Sequence, residues 1–272
     1  MKVMTETENF IEHFVQRFKQ IKPPLRPSEL DMEFYEKYAK KCADKGAEML
    51  LLGATPELRD IALQNNILPV SSDLDDNIFE AMSHLMTTSG KEEFIRSNWL
   101  DLAEDRKYDL IVGDGSLNML PAERADAFTK KMHSLLKEDG FFVHRFGITN
   151  EEMTLDHFKE AMQQYRDEKE EKDLAIFSYL FMLAESLRNN FYPDLTSYEL
   201  FHQVLFEHML DEEKEEIEPY LIKNKSYHPK MEELDNVITQ YFDILEKKLG
   251  EGTGYFGGMI FYAMKKKEQM KS

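Results

Sequence analysis

Apolar residues recur at spacings of four, four and three through Phe10, Phe14, Phe18 and Ile21, which predicts an amphipathic helix over 8–21 that stops at Pro23 and Pro24. Ser28 opens a second helical stretch through Lys45, and Gly46 closes it. From Ala47 the pattern changes. Near-continuous apolar runs at 47–53, 68–73, 94–98, 108–113 and 140–147 alternate with helical periodicity over 57–65, 76–87 and 121–137. Runs such as Leu110-Ile111-Val112 and Phe141-Phe142-Val143 are what a parallel sheet covered on both faces requires. The expectation is an α/β fold with a doubly wound, mostly parallel sheet.

After Ile148 the alternation ends. Leu174, Phe177, Phe181, Ala184 and Leu187 make one helical stripe, Tyr198, Phe201, Leu205 and Met209 a second, and 231–249 reads as a further helix. Residues 255–264 read as a last strand. The chain divides accordingly into N-terminal helices (1–45), an α/β core (46–148), a large helical insertion or cap (149–250) and a closing strand with a basic tail (251–272). Eight successive charged residues, Arg166 to Asp173, read as a solvated face or hinge.

Composition narrows the partners. Over 272 residues, Lys and Arg total 34 against 52 Asp and Glu, a formal charge of −18, which repels phosphate backbones and argues against duplex nucleic acid. Aromatic residues at 12% exclude global disorder. A lone cysteine, Cys42, makes no internal disulfide, no Cys/His cluster has zinc spacing, and a metal site is not expected. No stretch reaches eighteen apolar residues and the first twelve carry acids, so neither a membrane span nor an export signal is expected and a cytoplasmic location fits. Oligomeric state is not legible.

Ligands of open α/β sheets sit at the carboxyl ends of the strands. The first strand exits through Leu52-Gly53-Ala54-Thr55-Pro56-Glu57-Leu58: Gly53 permits a sharp turn, Thr55 suits an N-cap, and Pro56 sits where a missing N–H costs least. Asp73 follows twenty residues after Gly53, where an acid can accept from both hydroxyls of a ribose, or can cap a helix together with Asp75 and Asp76. Glu57 places a negative charge where a dinucleotide pyrophosphate wants bare N–H groups, whereas S-adenosylmethionine, a sulfonium without phosphate, tolerates it.

The ordered set Leu51 to Leu58, Ser72-Asp73, Ser97-Asn98-Trp99, Asp109 to Asn118, and Lys137 to Arg145 resembles the successive motifs of class I S-adenosylmethionine-dependent methyltransferases, over about residues 45 to 148. It is similar in particular to a poorly characterised subgroup whose first motif also reads Gly-Ala-Thr-Pro-Glu. Most members have an acid where this chain has Leu51 and further glycines where it has Thr55 and Glu57. The resemblance implies S-adenosyl-L-methionine as cofactor, with Gly53, Ala54 and Thr55 passing the methionine part, Asp73 on the ribose and Asn98 near the adenine amine. Trp99 would cover the purine or serve as a core aromatic. Asp114, between two glycines, would bind the cofactor amine, accept a substrate proton or make a local turn. Ser116 and Asn118 are polar candidates for the acceptor, His144 is the more natural base and Arg145 the more natural carboxylate clamp.

The function expected is methylation, on oxygen or nitrogen, of a small, partly apolar acceptor held under the helical cap. Two alternatives stand beside it: a noncatalytic S-adenosylmethionine-binding or interaction protein on the same fold, and a nucleotide-dependent oxidoreductase, which the absent G-x-G-x-x-G disfavours.

Overall fold

The structure, a computed structural model, describes residues 6–21, 23–43, 46–149, 153–167, 174–221, 223–250 and 257–267; side-chain burial is not defined at Glu6, 174–179, Tyr220 and Gly257. Helices α1 (Glu6–Gln20) and α2 (Glu29–Cys42) precede the sheet, and Ser28 and Asp31 form a reciprocal cap at the start of α2. Strand β1 (Glu48–Leu52), helix α3 (Pro56–Gln64), β2 (Leu68–Asp73), α4 (Asp76–Ser83), β3 (Glu93–Arg96), β4 (Tyr108–Asp114), α5 (Ala125–Leu135) and β5 (Leu136–Thr149) then alternate. The cap carries α6 (Leu155–Asp167), α7 (Leu174–Phe191), α8 (Ser197–Leu200), which runs on as a π-helical turn through Leu205, and α9 (Asp211–Ile217). The chain closes with α10 (Met231–Ile238), β6 (Phe242–Leu249) and β7 (Gly257–Lys266).

The seven strands lie in the order β3-β2-β1-β4-β5-β7-β6. The first five are parallel, and β7 runs antiparallel between β5 and β6. The order in which successive strands are laid down therefore reverses between β1 and β4, the switch point where an open α/β sheet leaves a crevice above its strand ends.

Alternation along the strands splits the core into two layers. Leu50, Leu52, Ile111, Phe142 and Phe146 face Phe128 and Met132 of α5 and Ile238 of α10. Met49, Leu51, Val112, Val143 and Phe261 face Phe34, Tyr35 and Tyr38 of α2 and Ile61 of α3. A separate apolar cluster fills the cap, joining Phe158 and Met162 of α6, Leu183 and Leu187 of α7, and Phe201 and Leu205 of the π-helical turn.

The cap is an excursion whose two ends meet. Thr149, where the chain leaves the sheet, gives its N–H to the Pro229 carbonyl at 3.0 Å and its hydroxyl to the His228 carbonyl at 3.1 Å. Asn118, in the loop after β4, ties the same point. Its amide donates to the carbonyls of Gly147 and Tyr227, and its Oδ1 accepts from the Gly147 N–H at 2.8 Å.

One predicted element is of the other kind. Residues 231–249 read as one helix because Phe242, Leu245 and Leu249 repeat at spacings of three and four among helix-forming Glu and Lys. The helix stops at Ile238 and Phe242–Leu249 is the edge strand β6. Phe242 is buried while Leu245 and Leu249 lie on the exposed side of a strict two-residue alternation, with a register shift between Ile244 and Glu246 against β7, so the spacing of three and four marks no single buried face. The segment 149–250 thus returns to the sheet before its end. Other boundaries move less: β3 stops at Arg96, α4 at Ser83, and β5 begins at Leu136, four residues early. Part of the charged run 166–173 lies outside the described residues, as do the side chains of Leu174 and Phe177.

Candidate functional site

Gly53 leaves β1 with φ at +115°, a conformation that disfavours any side chain, and its N–H bonds the Ser72 carbonyl at 2.9 Å. A Cβ there would meet nothing nearer than Asp73 Oδ2, at 4.0 Å. The glycine therefore holds open a cradle between the ends of β1 and β2, with the Asp73 carboxylate on its rim. Asp73 Oδ1 accepts from the N–H groups of Leu74 and Asp75, at 2.7 and 3.4 Å, which aims the carboxylate and leaves Oδ2 beside the cradle. Burial pushes the Asp73 carboxyl up, and the two backbone bonds oppose the shift in part. Asp75, not Asp73, caps α4.

Thr55 precedes α3 but its hydroxyl makes no capping bond, and Pro56 is the first helical residue. Glu57 is paired with Arg26, which reaches it from the segment between α1 and α2. The negative charge in that helical turn is therefore matched from outside the sheet, a partnership the sequence did not reveal.

Asn98 caps the short turn at Trp99–Asp101, its Oδ1 accepting from Leu100 N–H at 3.0 Å. Trp99 gives its indole N–H to the Ser72 carbonyl at 2.7 Å and sets its ring edge against Phe128. Those contacts tie it to the strand end and to the α5 side of the core at once.

Asp114 closes β4, and its Oδ1 accepts from Arg145 Nε at 2.5 Å. Arg145 has no exposed area and reaches Asp31 Oδ2 at 3.2 Å with Nη1, which also donates to the Arg26 carbonyl at 3.3 Å. A guanidinium between two carboxylates gives both acids a charge partner in a poorly solvated place. Burial still pushes the Asp114 carboxyl up, with Arg145 pulling it back. Tyr35 adds a hydroxyl bond to the Gly113 carbonyl at 2.7 Å, fixing the backbone just before Asp114.

Three other candidates are already committed or enclosed. Ser116 donates to the Leu52 carbonyl at 2.7 Å, and Asn118 is the staple described above. His144 has no exposed area, lies stacked on Phe146 at 4.0 Å between ring centroids, and has Phe128 and Phe142 at its edges. Neither ring nitrogen has a hydrogen-bond partner among the described residues, and burial pushes its pKa down to about 3. Enclosed by three aromatic rings and with its pKa pushed down, His144 is a neutral core residue in these surroundings, and we do not carry its base role forward.

Sequence reasoning missed a buried polar cluster beneath the cap. Glu185 Oε2 accepts from Arg188 Nε and Nη2 at 3.1 and 3.0 Å and from the Ser226 hydroxyl at 2.6 Å, while Oε1 takes the Ser197 hydroxyl. His228 Nε2 lies 3.8 Å from the same carboxylate. The signal was present: Glu185 and Arg188 are the only charged residues of α7. Beside this cluster a cavity of about 260 Å³ opens above the end of β5, lined in part by Thr149, Asn189, Pro193, Lys225, Tyr227 and His228. Among the described residues no group of three or more His, Cys, Asp or Glu could hold a metal ion, and no helix is long and apolar enough to cross a membrane.

No family model matches the chain, and no curated protein matches it by sequence. Its shape does match solved structures. Magnesium protoporphyrin IX methyltransferase from Synechocystis PCC 6803, crystallised with S-adenosylhomocysteine, aligns with a TM-score of 0.53 over 96% of this chain and 97% of that one, at 10% identity. The fold is that of the class I methyltransferases. The N-methyltransferase NodS from Bradyrhizobium japonicum WM9, also with S-adenosylhomocysteine, aligns at 0.52 over 97% and 100%, with 9% identity. A Rhodobacter sphaeroides protein described as a candidate Zn-dependent alcohol dehydrogenase aligns at 0.61 over 97% and 100%, with 12% identity. At such identities these likenesses speak for the fold alone.

Proposed function

We propose that this chain is an S-adenosylmethionine-dependent methyltransferase acting on oxygen or nitrogen of a small, partly apolar acceptor. The observation that carries the reading is the cradle at the switch point: a glycine in a left-handed turn, open above its Cα, beside an aimed carboxylate on the neighbouring strand end. Among the buried side-chain atoms without a partner in the described residues are the Ser72 hydroxyl on β2, next to Asp73, Glu57 Oε2 at the start of α3 and Arg145 Nη2 on β5. Buried polar atoms are rarely left unbonded, and these three support a polar ligand at this part of the sheet.

In this reading Asp73 Oδ2 accepts from ribose hydroxyls, the backbone of Gly53 to Thr55 lines the methionine part, and Asn98 and Trp99 stand at the adenine end. The cofactor, when bound, supplies an electrophilic methyl group on sulfur. The protein's task is then alignment and exclusion of water, and no dedicated base is obligatory. Asp114, held by Arg145, orients the acceptor in the same reading. The cavity beside Thr149 suits the acceptor in size and mixes apolar Pro193 and Tyr227 with Lys225 and Asn189. A cytoplasmic setting belongs to the same reading.

Calorimetry tests it. S-adenosylhomocysteine should bind and NAD should not; binding of NAD alone would replace this reading with the oxidoreductase one. Once an acceptor is in hand, Asp114→Asn should lower turnover by roughly 10² to 10⁴ if the carboxylate orients the acceptor or takes its proton. Unchanged turnover would reduce Asp114 to a turn residue.

A further inference from the structure

Two buried atoms of opposite charge lack partners at the mouth of the sheet, and one residue joins them. Glu57 gives Oε1 to Arg26, while its Oε2 is buried and without a partner among the described residues. Arg145 spends Nε on Asp114 and Nη1 on Asp31 and the Arg26 carbonyl, and its Nη2 has no partner among the described residues. Arg26 touches both, through its guanidinium on one side and its carbonyl oxygen on the other. The two open valences therefore belong to side chains that share Arg26 as a partner, one a donor on a cation and the other an acceptor on an anion.

An unbonded buried polar atom is expensive, and more so on a charged group. The other fully buried guanidinium of the α/β core shows that this chain can avoid the expense. Arg59, on α3, bonds Glu92 twice, Ser83 and the Phe79 carbonyl. A ligand that satisfies both valences at once needs an anion and an ammonium in the same molecule, and the α-amino-acid group has both.

We propose that Arg145 and Glu57, spaced by Arg26, form the receptor for the zwitterionic amino-acid end of the cofactor, Arg145 Nη2 donating to its carboxylate and Glu57 Oε2 accepting from its ammonium. This rests on the S-adenosyl reading above. It gives Glu57 a reason to be acidic and gives the segment between α1 and α2 a part in the site, because Arg26 fixes the Glu57 carboxylate and Asp31 fixes the Arg145 guanidinium.

The test is calorimetric titration with three probes: S-adenosylhomocysteine, 5′-methylthioadenosine, which lacks the amino-acid end, and decarboxylated S-adenosylmethionine, which keeps only the amine. Glu57→Gln keeps shape and leaves the Arg145 network intact. It should weaken S-adenosylhomocysteine and the decarboxylated probe by about tenfold or more, and 5′-methylthioadenosine by less than about twofold. Arg145→Lys, checked for a cooperative melting transition, should weaken S-adenosylhomocysteine alone. Equal losses for all three probes, or no loss with Glu57→Gln, overturn the assignment while the cofactor reading stands. Failure of every probe to bind the wild-type chain removes the cofactor reading and this proposal with it.

Discussion

Arg145 and Arg188 both lie deep in the molecule beside carboxylates, one at the mouth of the sheet and one beneath the cap. Arg188 is saturated: Glu185, Asn189 Oδ1 and the Ser226 carbonyl all accept from it, and the Leu195 carbonyl lies at 3.4 Å. Arg145 has two carboxylates for company and still carries an open nitrogen. Burial and charge are alike, so the difference lies in completeness. A closed network fixes where elements sit, whereas an open one awaits something from outside.

If that contrast holds, the largest effect on stability should come from the closed network. Glu185→Gln strips Arg188 of its charge partner and should lower the unfolding free energy by about 3–5 kcal/mol in chemical denaturation. S-adenosylhomocysteine affinity of the folded fraction should stay within a few fold. A loss of affinity with little loss of stability would reverse the roles assigned to the two regions.

Asp73→Ala should weaken S-adenosylhomocysteine by about 1–3 kcal/mol, because ribose hydroxyls lose a charged acceptor, and should barely move the melting temperature. Unchanged affinity would shift the ribose partner to Asp75 or Asp76.

His144 gives a pH test of the closed interior. Its folded pKa of about 3 lies below the ordinary 6.5, so as pH falls through 6.5 the unfolded chain takes a proton that the folded chain refuses. Stability is full above that pH and should decline by about 1.4 kcal/mol per unit for this group until its folded pKa is reached. Burial pushes His228 in the same direction, so His144→Phe should flatten the curve without abolishing its slope. Methyl transfer by that variant, measured once an acceptor is known, should persist. Its loss would return His144 to the chemistry.

The smallest effect belongs to the cap's surface. Thr196→Ala removes a reciprocal cap with Glu199 and should cost about 1 kcal/mol in thermal unfolding, leaving ligand affinity alone. A change in affinity would tie α8 to the site.

The parallel strands were legible because buried β1, β4 and β5 need apolar residues on both faces, and Leu50 to Leu52 or Leu110 to Val112 can be little else. The edge strand β6 was not, since Phe242, Leu245 and Leu249 fall at helical spacing without sharing a buried face. At the site, Gly53 and Asp73 could be read from position alone. Arg145 could be suspected of gripping a carboxylate, but that Asp31 and Asp114 are two such carboxylates depends on α2 crossing the sheet, a long-range fact. Asp31 also serves as the helix-start acid of α2. The same Oδ2 that accepts from Ser28 N–H also meets the guanidinium.

The knot of bonds among Asn118, Gly147, Thr149 and the Tyr227–Pro229 segment bears on what can be exchanged. A long excursion whose exit and re-entry are fastened to one another imposes its closure entropy locally and hands the sheet a fixed pair of anchor points. Whatever lies between them can lengthen, shorten or be replaced by another sequence while the strands below keep their register. The molecule is built so that the cap is a cassette, and, if the acceptor lies under it as proposed, grafting a different cassette between Thr149 and Pro229 should redirect the choice of acceptor while the strand-end cradle stays as it is.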